Sequence, residues 1–143
     1  MTVDVEAMVR KFMVKHSQFK KRMPSQATNE VAVLRLRLMM EELGEIATAI
    51  HKVQALPLLV DRDQFFEAMA ELADGLADLV YVVVGTAIAY GIPFNEVFAE
   101  VQRSNMTKGV LDRTQKGGKV GKGSKFEPPQ IREILEEKFP DSL

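Results

Sequence analysis

The chain has 143 residues, 46% hydrophobic and 27% charged, with a net charge of −1 and no cysteine. That balance argues against a nucleic-acid-binding or membrane-embedded protein as a whole, and the missing thiols exclude disulfides, zinc–thiolate sites and a cysteine nucleophile. The length predicts a single domain spanning 1–143; lacking the staples of small secreted domains, it belongs in a reducing cytoplasm.

The start, MTVDVEAMVRKF, has acids where a targeting peptide is basic. Apolar residues at helical spacing, among them Val5, Met8, Val9, Phe12 and Met13, predict a first helix over about 3–18. Residues 20–28, with Pro24 and Ser25, form a connection. A second helix is expected over 29–55, ended by Leu56 and Pro57. On its wheel Leu36, Met39, Met40, Leu43, Ala47 and Ile50 fill one arc, while Glu41, Glu42 and Glu45 fill another. Residues three and four apart on a helix are neighbours, so Glu45 can aim at one point with either Glu42 or Glu41.

A third helix begins at Asp61 or Asp63, either a suitable N-cap, and runs to about Tyr90, where Gly91 stops it. Its apolar stretch, 79–90, is interrupted by Gly85 and Thr86 and falls short of the roughly 20 residues a membrane span needs. Pro93 opens a fourth helix that reaches about Met106. Residues 108–125 then carry six basic residues against one acid and five of the nine glycines, which leaves −6 on the rest of the chain. This predicts a flexible basic tail over 108–128, with a small hairpin at 116–126 the one strand candidate. A short helix over 130–138 follows. The fold class is all-α: four main helices in a bundle, a glycine- and lysine-rich tail, and a short C-terminal helix.

Acids on a helix face are usually solvated, yet two features point to a metal site here. Glu67, Glu71, Asp74 and Asp78 form one stripe on the third helix, and that stripe continues into Val82, Gly85 and Ala89, where the helix is apolar all round. Asp78 should therefore lie at the edge of the core. Carboxylates gathered in a partly dry space also repel one another unless protonated, paired with cations or bound to metal. Arg35, Arg37 and Lys52 are cationic candidates on the second helix, but 61–78 contains only Arg62. Oxygen ligands without cysteine or a well-placed histidine suit Mg²⁺, with Mn²⁺ as a substitute. A di-iron bundle would need Glu-x-x-His pairs, which His16 and His51 do not supply.

Four segments in order, RLMMEELGE (37–45), LADLVY (76–81), YGI (90–92) and RSNMTK (103–108), resemble the all-α nucleoside triphosphate pyrophosphohydrolases, the MazG-like and phosphoribosyl-ATP pyrophosphohydrolase-like superfamily. The tail KGGKVGKGSKFEPP (116–129) is similar to that of the phosphoribosyl-ATP branch. The family pattern is ExxE followed by ExxD. Asp78 takes the final position, but Gly75 stands where the preceding acid belongs, and a literal ExxD occurs one turn earlier as Glu71 and Asp74.

The resemblance implies cleavage of a nucleoside triphosphate between its α- and β-phosphates, with Glu42, Glu45, Asp78 and Asp74 as metal ligands and Glu71 competing for the fourth place. Glu41 or Glu45 would orient the attacking water and accept its proton. It also implies substrate contacts from Asn105 and Lys108, and a homodimer or homotetramer. Lys119 and Lys122 of the tail are candidates to close over the phosphates. Gln18 and Asn29 could reach a base edge, with Phe12 or Phe19 stacking on it. The expected substrate is dUTP or a modified dNTP. Phosphoribosyl-ATP hydrolysis, or a non-enzymatic helical oligomerisation module with a basic tail, are the alternatives.

Overall fold

A computed structural model describes residues 3–18, 20–109 and 122–138. It is all-α, with five helices among the described residues: α1 (Val5–Lys15), α2 (Asn29–Gln54), α3 (Arg62–Tyr90), α4 (Phe94–Met106) and α5 (Ile131–Glu137). The chain divides into two compact units, residues 1–91 and 92–143. In the first, α1 and α2 each pack on α3; in the second, α4 packs with α5. Of the expected hairpin, residues 116–121 lie outside the described residues, as does Lys119 of the tail.

Local chemistry sets the helix ends. Asp4 accepts the Ala7 N–H and Thr28 accepts the Val31 N–H, each satisfying a donor that the first helical turn leaves over. Asp61 occupies the N-cap of α3 without a side-chain hydrogen bond. α1 is shorter than its apolar period predicts, because Ser17 turns the chain with φ +51°. Pro93 sits at the N-cap of α4, just before its first turn.

The connection after α1 lies across the C-terminal end of α3. The N–H groups of Lys21 and Ser25 donate to the carbonyls of Ile88 and Tyr90, which a helix end otherwise leaves unpaired. Gly91 makes this closure possible. Its φ is +71°, and a Cβ there would lie 1.9 Å from the Met23 carbonyl oxygen, so both conformation and space demand glycine.

The second half of α3 is the core helix: Val84, Gly85, Ala87, Ile88 and Ala89 are buried. Val9 and Met13 of α1 and Ile46 and Ala49 of α2 complete the core of this unit. By length and composition alone α3 is long and apolar enough to cross a membrane, contrary to the sequence expectation. A third of its apolar window is buried, and the helix packs on α1 and α2.

The inward face of α2 is not its most apolar one. The apolar arc does not face α3: Met40 is 65% exposed and Leu43 59%, with Leu36 and Ile50 also uncovered. The buried seam runs instead through Arg35, Ile46 and Ala49, with Glu42 half-buried among them. It lies on the wheel between the acid arc and the apolar arc. Hydrophobic content alone therefore misidentifies the inward face of this helix.

Candidate functional site

The two carboxylate groups come together on either side of the α2–α3 contact. Gly75 is buried there, and a Cβ at this position would lie 3.2 Å from Cγ1 of Ile46. The absence of an acid three residues before Asp78 thus has a steric reason: position 75 faces α2 at close range. Asp74, one residue earlier, sits beside this contact and lines the groove.

That groove, about 460 Å³, is lined by Glu41, Glu45, Glu71, Asp74 and Asp78, with small residues such as Gly44 and Thr48 between them. Glu42 is not among the lining residues but is half-buried and feels the charge of four acids that are. One of its carboxylate oxygens, Oε2, is shut off from solvent and has no hydrogen-bond partner. Burial pushes its carboxyl above the usual range, and Glu45, Asp78, Glu41 and Asp74 push it further in the same direction. These are the neighbours that sequence spacing assigns to the site. Glu71 is otherwise engaged: it forms an ion pair with Lys52.

The partly dry setting expected for the acids is confined to Glu42. Glu41, Glu45, Glu71, Asp74 and Asp78 are all exposed, and only Glu42 is withdrawn from water. Asp78 lines both this groove and a second cavity that it shares with the core residues Val9 and Met13. Among the described residues no three acids stand close enough to make a ready-formed coordination shell. The donor set nevertheless fits a hard divalent cation. It offers oxygen ligands only, surplus negative charge, and an orphaned carboxylate oxygen that a cation would satisfy.

Other candidate residues are distributed as follows. Gln18 accepts a hydrogen bond from Nη2 of Arg35 at 3.2 Å. Asn29 is the exposed first residue of α2, and Phe12 stands edge-on to Tyr81 at 5.4 Å. Phe19 and Lys119 fall outside the described residues. Lys122 lies over the Phe126 ring at 4.9 Å. His16 and His51 are exposed, His16 beside Phe12.

In the second unit the RSNMTK segment divides its duties. Arg103 binds Glu100 and Glu127, Ser104 donates to the Glu127 carbonyl, and Thr107 accepts the Glu127 N–H. These bonds tie 127–130 to α4. The Glu100 carboxyl is lowered to about 2 by its bond from Arg103 and by the Gln130 N–H, so it stays ionised at neutral pH. Asn105 is exposed. Lys108 is half-buried and lines a cavity of about 500 Å³ with Ser124 and Lys125.

Sequence spacing singled out Arg35 only as a possible partner for the acids. It is 7% exposed, its Nε has no hydrogen-bond partner, and burial lowers its pKa. Its position on the seam shared with Ile46 and Ala49 was the available signal.

The family described as phosphoribosyl-ATP pyrophosphohydrolase matches residues 9–105, more than half of the chain. Among curated proteins none matches.

Proposed function

As the chain belongs to the phosphoribosyl-ATP pyrophosphohydrolase family, within the MazG-like all-α superfamily, and is therefore a hydrolase of acid anhydrides, we propose that it cleaves nucleoside triphosphates between the α- and β-phosphates. The observation that carries this reading is Glu42: a buried, unpartnered carboxylate oxygen among four further acids from two helices. Glu42, Glu45, Asp74 and Asp78 would hold a divalent cation, Mg²⁺ or Mn²⁺, which when bound would offset phosphate charge and lower the pKa of water.

The chain's own residues do the rest. Glu41, exposed at the groove, orients the attacking water and takes its proton at a carboxylate oxygen. The water oxygen bonds to one of the two bridged phosphorus atoms, the α–β bridge breaks, and monophosphate and pyrophosphate leave. Asn105, Lys108 and Lys122 serve as substrate contacts, on the strength of the RSNMTK and tail motifs. The family's own name favours phosphoribosyl-ATP as a second substrate reading; dUTP or a modified dNTP is the first.

The uncovered apolar arc of α2 supports a homodimer or homotetramer, since contiguous apolar surface of this kind normally marks an interface. We also propose a cytoplasmic setting, for which the cysteine-free sequence is the support.

A phosphate-release screen of NTPs, dNTPs and phosphoribosyl-ATP with Mg²⁺ tests the reaction. The expected signal appears only when inorganic pyrophosphatase is added. Phosphate release without pyrophosphatase would place the cleavage at the terminal phosphate and contradict the reading.

A further inference from the structure

On α2, Glu41, Glu45 and Thr48 line the acid groove at helical spacing, and the next residue of that stripe, four beyond Thr48, is Lys52. Side chains three and four apart share a helix face, so Lys52 continues the wall that the acids begin. The helices run in opposite directions here, since Ile46 meets Gly75 while Lys52, further along α2, meets Glu71, earlier on α3. The groove therefore has Glu41 and Asp78 toward one end and the Lys52–Glu71 ion pair at the other.

Between these ends the groove is open. Gly44 lies on its wall, and a Cβ there would meet no atom within 4 Å. Glycine in a helix interior weakens the helix relative to alanine, yet no packing contact demands it at this position. What it provides is width. The residues lining the groove include five acids and no cation; Lys52 is the cation that α2 places beside them. Lys52 is also suited to leave Glu71. The pair is half-exposed, and such pairs hold their partners weakly. A lysine carries three donors on a flexible stem, so it can exchange a carboxylate oxygen for a phosphate oxygen without moving the backbone.

We propose that Lys52 binds the terminal phosphate of a nucleoside triphosphate, leaving Glu71 to do so, and thereby sets a preference for triphosphates over diphosphates. Such a contact presupposes the nucleotide hydrolysis reading and deepens it. The groove's two ends set the direction of the phosphate chain. Beyond Asp78 lies the second cavity, of about 410 Å³, walled by Val9, Phe12, Met13 and Leu38. The one cation lining it, Arg35, is buried and bonded to Gln18. Charged, hydrated phosphates avoid apolar walls, so the chain of phosphates extends from the acids toward Lys52.

The test has two arms. In the first, kcat and KM are measured for the best triphosphate of the phosphate-release screen, together with the inhibition constant of its diphosphate. The proteins are the wild type, Lys52→Met, Lys52→Arg and Glu71→Gln. Lys52→Met should raise the triphosphate KM at least about tenfold, the loss expected for one charge-assisted hydrogen bond, with kcat within about threefold. The diphosphate constant should move by less than about threefold, since the diphosphate lacks the phosphate in question. Lys52→Arg, which keeps the charge, should restore most of the affinity. Glu71→Gln frees Lys52 and should lower the KM, whereas a lysine serving only its ion pair would give the same loss in both variants. In the second arm, inorganic pyrophosphate is titrated calorimetrically into the same proteins in Mg²⁺, which needs no catalysis. Binding at least about tenfold weaker in Lys52→Met but not in Lys52→Arg supports the contact even if no nucleotide is cleaved; the hydrolase reading alone would then fail. The proposal would be overturned by wild-type KM and pyrophosphate affinity in Lys52→Met, or by equal losses for triphosphate and diphosphate. So would a Glu71→Gln loss matching that of Lys52→Met, or no pyrophosphate binding by the wild type.

Discussion

Replacing Glu42 with glutamine is expected to lower turnover at least about 100-fold, the range lost when even the surroundings of a metal site are altered, while the helical circular dichroism spectrum survives. The same variant should melt higher than the wild type in chelator at pH 7.5. Burial, and then Glu45, Asp78, Glu41 and Asp74, hold the Glu42 carboxyl above its ordinary range. A carboxyl raised in this way adds stability below its ordinary pKa of about 4.3, and that contribution is lost as pH rises through the raised value. At pH 7.5 the cation-free protein carries the cost of burying and crowding that carboxyl, which glutamine removes. The difference in melting temperature should shrink at pH 4, where the raised Glu42 carboxyl keeps more of its proton than an ordinary glutamate does. Undiminished turnover, or a variant less stable than the wild type in chelator at pH 7.5, would remove Glu42 from the site.

The second large effect separates the two acids competing for one place. Asp74→Asn should reduce turnover at least about 100-fold, like Asp78→Asn, because both line the groove and both act on Glu42. Glu71→Gln should cost less than about tenfold. Glu71 lines the same groove but is held by Lys52, and its loss breaks an exposed ion pair of small energetic worth. Steady-state kinetics at saturating Mg²⁺ distinguish the cases. The reverse order would give the fourth position to Glu71.

Much of this architecture was legible in the residues. Periodicity located all five helices to within a few residues, and Gly91 marked the end of α3 because its left-handed φ leaves little choice. The acids were legible as neighbours because their spacing puts them on one side of each helix, and five of them line one groove. What spacing could not supply was which side of α2 faces inward. Its buried seam contains Arg35 and Glu42, while Leu36, Met40 and Leu43 point away from α3. A surface that pairs with another molecule has the same composition as a core, so hydrophobicity cannot tell them apart. The Gly75 departure was visible in the sequence, but its cause, the approach of Ile46, is a tertiary contact. Arg35 was hidden for the same reason. An arginine between leucines reads as surface until the cavity around it is seen.

The same seam holds the two buried side-chain polar atoms without a hydrogen-bond partner among the described residues, Nε of Arg35 and Oε2 of Glu42.

The central claim is that the α2 and α3 carboxylates hold the divalent cation. Isothermal titration of Mn²⁺ into the wild type and a Glu42→Gln/Asp78→Asn variant at pH 7.5 addresses it directly. The wild type should bind Mn²⁺ and the variant at least about 100-fold more weakly. Equal affinity in the two proteins, or no binding to the wild type, would contradict it.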